Sequence, residues 1–123
     1  MNDELKKQVG GDHYRRMVMQ PIEYAVVCRL DFLRGSVVKY LSRHQHKNGM
    51  EDLDKAAHLC MIGMDMGAKY ADVDAAMLAA TDLYCRLNEI DAVTEDAIVA
   101  VLYGDWRIAV ELIGNVRRLY YGE

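Results

Sequence analysis

Apolar residues along this chain recur at steps of three and four, and no segment of more than a few residues alternates at steps of two. The pattern therefore predicts helices. Pro21 suits a first helical turn, where its missing N–H costs nothing. Ile22, Ala25, Val26 and Leu30 then place a first helix at about 21–30. Gly35-Ser36 marks a break or a close approach. A second helix fits about 37–47, with Val37, Leu41 and His44 along one side and Lys39, Arg43 and either His46 or Lys47 along another. Asn48-Gly49 reads as its stop. A third helix opens near Glu51, with Leu53, Ala56, Ala57, Cys60, Met61 and Met64 as its buried stripe and Gly67 near its end. A fourth covers about 72–90, its apolar face formed by Val73, Ala76, Met77, Ala80, Leu83, Tyr84 and Leu87. Thr94 reads as the cap of a fifth stretch, which Gly104-Asp105 can split into about 95–103 and 106–120. Gly10-Gly11-Asp12-His13-Tyr14 reads as a turn, and the run on to Gln20 as ambiguous, extended structure being one reading. The expectation is an all-α fold, a compact bundle of about five helices behind an N-terminal loop.

Composition sharpens this picture. With 123 residues there is room for a single helical domain, residues 1–123, and no linker or repeat divides it. A core this small gains from oligomerisation, so a homo-oligomer is expected, residues 71–123 serving packing or subunit contact. The three cysteines, Cys28, Cys60 and Cys85, form no CxxC, which argues for reduced thiols in a cytoplasmic setting. Met1 to Lys7 has no apolar core of a signal peptide, and the longest apolar runs, 75–80 and 97–103, are far too short to cross a membrane. A net charge of −4 argues against a chain that coats DNA through phosphate neutralisation, so direct DNA binding is not expected. It leaves room for a local cationic site.

The candidate chemistry lies in the first half. There is no P-loop, GxGxxG, HExxH, EF-hand loop or nucleophile motif. Lys39 and Arg43 are four apart on one predicted face, and Lys47 continues the ridge with His46 beside it. Such a ridge fits a phosphate or a carboxylate. It also fits a solvated face paired with Asp52 or Asp54, and charge spacing alone favours that plainer role. His13 and Tyr14, in their glycine-preceded turn, can contact a phosphate and stack on a base, or serve as a core anchor and its polar neighbour. Glu51, Asp52 and Asp54 crowd a helix start. They can hold Mg²⁺, complement the helix dipole, or pair with Arg43 or Lys39. Four scattered histidines make a weak case for a transition metal, and eight methionines fit gap-filling in a helical core. Trp106, Tyr120 and Tyr121 are expected to pack the last helix or a subunit contact.

Several blocks occur in a fixed order. They are Gly11-Asp12-His13-Tyr14, Gln20-Pro21-Ile22-Glu23, the stretch Gly35-Ser36-Val37-Val38-Lys39-Tyr40-Leu41-Ser42-Arg43, and the stretch from Lys47-Asn48-Gly49 through Glu51-Asp52-Leu53-Asp54-Lys55-Ala56. Their joint order and spacing over residues 10–62 resembles a tailed-phage family of conserved proteins of unknown function. That family includes a small nucleotide kinase without a P-loop. Ser36 stands where Asn is common in the family, and His58 where an aromatic residue is common. Neither departure removes a cation or a carboxylate.

The resemblance implies a phage nucleotide-binding protein in the infected cell's cytoplasm. By extension it implies a kinase that moves a phosphoryl group from a nucleoside triphosphate to a deoxynucleoside monophosphate. It gathers His13, Tyr14, Lys39, Arg43, Lys47, Asp52 and Lys55 into one site. Within it, Lys39, Arg43 and Lys47 hold phosphates with Lys55 beside them. His13 orients the attacking oxygen, Tyr14 stacks on the base, and Asp52 or Asp54 takes Mg²⁺. On this reading the catalytic residues are His13, Lys39 and Arg43. The other classes weighed are a non-catalytic binder that sequesters a host defence nucleotide and a helical protein that binds a host protein. A pyrophosphohydrolase ranks last, because the paired Glu-rich helices it needs are missing.

Overall fold

The computed structural model describes residues 17–70 and 72–122. Every regular element among them is helical. In order they are α1 (Pro21–Val27), α2 (Phe32–Arg43), a 3₁₀ turn (His44–His46), α3 (Met50–Asp65), α4 (Ala75–Leu87), α5 (Ala92–Tyr103) and α6 (Trp106–Tyr121). The all-α expectation holds, with six α-helices among the described residues where about five were expected. The sixth arises because the chain does split at Gly104-Asp105.

Capping chemistry moves several predicted boundaries. Asp31 accepts a hydrogen bond from the Arg34 backbone N–H at 2.7 Å and starts α2 five residues earlier than the apolar spacing suggests. Gly35 and Ser36 therefore lie inside a helix instead of breaking one. Asp74 caps α4 through the Met77 N–H at 2.8 Å, so the helix begins at Ala75 and not at 72. Asp91, not Thr94, caps α5, accepting from the Thr94 N–H at 2.9 Å and from its hydroxyl at 2.8 Å. Thr94 is a buried residue of the first turn. At α1, Glu23 Oε1 accepts from the Gln20 backbone N–H at 3.0 Å, which explains the Gln-Pro-x-Glu spacing as a helix entry.

The buried faces also differ from prediction. On α3 the stripe runs through Leu53, Ala56, Cys60 and Gly63, while Met61 and Met64 are exposed. Gly63 is there because the Trp106 indole lies across it, and a Cβ would stand 2.7 Å from indole Cε2. On α4 the buried face is Met77, Thr81, Tyr84 and Cys85, and Ala76, Leu83 and Leu87 face outward. Thr81 replaces an aliphatic residue in the core because its hydroxyl is satisfied. It donates to Met77 O at 2.8 Å and receives the Tyr24 hydroxyl at 2.5 Å. Tyr24 stacks on Tyr84 with ring centroids 4.5 Å apart, and Tyr84 donates to Ser42 Oγ at 2.7 Å. These contacts tie α1, α4 and α2 together through the centre. Helix α2 packs on α1, α3 and α5, and α6 packs on α3 and α5. No helix among the described residues is long and apolar enough to cross a membrane.

Candidate functional site

Arg43 ends α2 and Asp52 lies in the first turn of α3, so the short connection between these helices sets their meeting. The guanidinium grips the carboxylate at both ends, Nε to Oδ2 at 3.2 Å and Nη2 to Oδ1 at 3.2 Å. Asp52 is fully buried and the Arg43 side chain is 11% exposed. The Asn48 N–H also points at Oδ2, from 3.4 Å. Gly49 makes the approach: its φ of +57° and ψ of −128° lie where a Cβ is strained. The Tyr121 ring packs against this turn, 3.7 Å from where a Gly49 Cβ would stand.

Tyr40 lies one turn before Arg43, half-buried between the same helices. Its ring is a meeting point for cations. Lys39 Nζ is 4.7 Å from the ring centroid, Arg43 Cζ 4.8 Å and Lys55 Nζ 5.5 Å. Among the described residues, neither Lys39 nor Lys55 has a carboxylate partner. Three like charges thus share one aromatic ring, with Asp52 the carboxylate paired to one of them. Cations gathered in this way attract an anion. Tyr40 was not singled out from the sequence, although its position between Lys39 and Arg43 was the available signal.

The remaining site residues are dispersed. Because α2 stops at Arg43, Lys47 does not extend the Lys39–Arg43 ridge but sits exposed beyond the 3₁₀ turn. Asp54 points away to pair with Arg117 of α6 at 3.2 Å. His13 and Tyr14 lie outside the described residues. Asp52 has the salt bridge that competes with metal binding, and no group of three or more His, Cys, Asp or Glu side chains gathers as a metal cage among the described residues.

His44 is buried beneath the C-terminal tyrosines. Its Nδ1 is 2.9 Å from the Tyr121 hydroxyl, and its ring meets Tyr120 edge-on at 4.9 Å. Tyr120 donates to Asp91 at 2.6 Å. Burial pushes the imidazole below its ordinary value, against the pull of Asp91 and Asp52. These contacts answer the question of Tyr120 and Tyr121: within this chain they fasten α6 to the turn after α2 and to the start of α5.

The molecule is thus an all-helical domain with an aromatic-centred cation cluster on one helix pair. Residues 10–60 match the model of a family described as a protein of unknown function (DUF3310), and the match spans the ordered motif blocks. No curated protein and no solved structure matches the chain.

Proposed function

We propose that this is a phage nucleotide-binding protein that holds phosphates on the cation cluster around Tyr40, and that it transfers a phosphoryl group from a nucleoside triphosphate to a deoxynucleoside monophosphate. The observation behind the binding reading is the meeting of Lys39, Arg43 and Lys55 within 5.5 Å of one ring centroid, with Asp52 paired to Arg43 alone. Lysines gathered beside a guanidinium suit a phosphate, to which each can donate a charge-assisted hydrogen bond. The Asp52 fork holds the Arg43 guanidinium in a set orientation, so less ordering is needed when an anion arrives. The kinase reading rests on the motif resemblance. Phosphoryl transfer asks mainly for positioning and charge neutralisation, which a cationic cradle supplies. Mg²⁺ would arrive on the donor phosphates, since it commonly takes only one or two protein carboxylates. Both Asp52 oxygens are engaged by Arg43 and Asp54 pairs with Arg117, so the phosphates themselves would be the main ligands of Mg²⁺.

The test is calorimetric titration of the full chain with nucleoside mono- and triphosphates, with and without Mg²⁺, followed by chromatography of a donor–acceptor mixture. Lys39→Ala and Lys55→Ala should each weaken binding by about tenfold, in line with the loss of one charge-assisted contact. A phosphorylated acceptor supports the kinase reading. Tight binding with no product would leave a nucleotide-sequestering protein, and unchanged affinity in both variants would remove the cluster as the site.

A further inference from the structure

Beside the cluster, α1 and the start of α2 form an open groove of about 280 Å³ that neither the core nor the ion pair explains. Its walls include Ile22 and Ala25 on α1 and Phe32 on α2, and Lys39 stands in its lining. Phe32 is 89% exposed and Ile22 61% exposed, so the groove presents apolar side chains to solvent. Asp31 and Ser36 stand in the same lining. Lys39 belongs to two places at once: it lines the groove and lies 4.7 Å from the Tyr40 ring centroid.

From this continuity we infer that the groove is the base subsite of the nucleotide whose phosphates the Tyr40 cluster holds. The inference rests on the phosphate reading above and adds where the rest of the ligand goes. A nucleotide has an apolar planar end and an anionic end, and the groove and cluster offer the same two chemistries in sequence. Phe32 provides a ring on which a base stacks, with Ile22 and Ala25 against its apolar edge. Ser36 offers a hydroxyl to polar groups on the base edge, while both Asp31 oxygens are already engaged by Arg34. The volume lies just below the ~300–1,000 Å³ of small-molecule pockets, which suits one base and not a dinucleotide. A second copy of the chain is the poorer occupant. A two-fold contact built on this patch would bring two positive clusters together, whereas a nucleotide brings negative charge.

The experiment compares a ligand with a base to one without. Deoxynucleoside triphosphates and inorganic tripolyphosphate are titrated into the full-length wild type, Phe32→Ala, Ile22→Ser and Lys39→Ala. The first two substitutions are at exposed positions, and circular dichroism verifies their fold. The expected result is that Phe32→Ala and Ile22→Ser weaken nucleotide binding by about 5- to 100-fold, the range for loss of a stacked base, and leave tripolyphosphate binding unchanged. Lys39→Ala should weaken both ligands. Equal affinities for the nucleotide in wild type and both groove variants would overturn the base subsite while the phosphate reading stood. Failure of the wild type to bind either ligand would overturn the phosphate reading and the inference together. Sedimentation in the same buffers covers self-association: a groove variant that turns an oligomer into a monomer without changing nucleotide affinity overturns the inference in favour of a second copy.

Discussion

The Arg43–Asp52 pair and the two lysines beside it carry opposite sorts of importance. Asp52 is fully buried and gripped at both oxygens, so its removal leaves a guanidinium in a poorly solvated place. Asp52→Ala should cost about 1–3 kcal/mol in urea denaturation, the range for removing one partner of a buried hydrogen-bonded group. Lys55 is exposed, and Lys55→Ala should change stability by no more than about 0.5 kcal/mol. The same two substitutions should reverse order in a nucleotide titration referred to folded protein. In the sequence, Arg43, Asp52, Lys39 and Lys55 were all legible as one motif. Their division into a structural pair and unpaired cations was not, because it depends on which side chain reaches across to the next helix.

Helix ends and helix contacts show where periodicity gives out. Three of the six helices begin on an Asp that accepts from the backbone N–H three residues on. Apolar spacing alone passed over all three, placing these starts at about 37, 72 and 95, because a cap is set by which backbone N–H a short polar side chain reaches and not by apolar period. Asp91 does more than cap: it also accepts the Tyr120 hydroxyl at 2.6 Å and the Thr94 hydroxyl at 2.8 Å. Asp91→Ala should therefore exceed an ordinary cap deletion, at about 2–3 kcal/mol, with Tyr120→Phe costing about 1 kcal/mol in the same denaturation series. The α3–α6 contact depends on the missing side chain of Gly63. Gly63→Ala would drive a methyl into the Trp106 ring and should lower stability by about 1–3 kcal/mol, with a change in tryptophan fluorescence reporting the displaced indole.

The assembled molecule has a defined response to acid and to thiol reagents. His44 has a folded-state value below its ordinary 6.5, chiefly from burial. Between that lowered value and 6.5 the unfolded chain binds more protons than the folded one, so stability falls as pH drops through this window. Hydrogen bonds from Tyr120 and Thr94 outweigh burial and hold Asp91 below the ordinary carboxylate value. Its contribution is present above that value and is lost as pH falls through the depressed one. Glu95, raised by burial and by Asp82 and Asp96, acts in the opposite sense. The Tm should accordingly decline from about pH 7 to pH 5, and His44→Gln should flatten that part of the curve while sparing the more acidic limb. All three cysteines are buried, with burial pushing Cys60 and Cys85 up to about 12. Ellman's reagent should find no fast-reacting thiol in the native chain and three after denaturation.

Local spacing of apolar residues was enough for the all-α class and for most helices, because helix formation depends on neighbours three and four positions apart. The pairing of residues 39–43 with 51–55 was visible as two polar blocks of one motif. Folding alone brings Lys39, Arg43 and Lys55 onto the Tyr40 ring, turns Asp54 towards Arg117, and sets the last two tyrosines over His44 and Asp91. Each of those outcomes joins side chains on different helices or turns, where helix rotation and the length of the connecting turn decide contact. The stop of α2 at Arg43 likewise follows from the 3₁₀ turn and the Gly49 bend that return the chain into α3, and it leaves Lys47 off the ridge its spacing suggested.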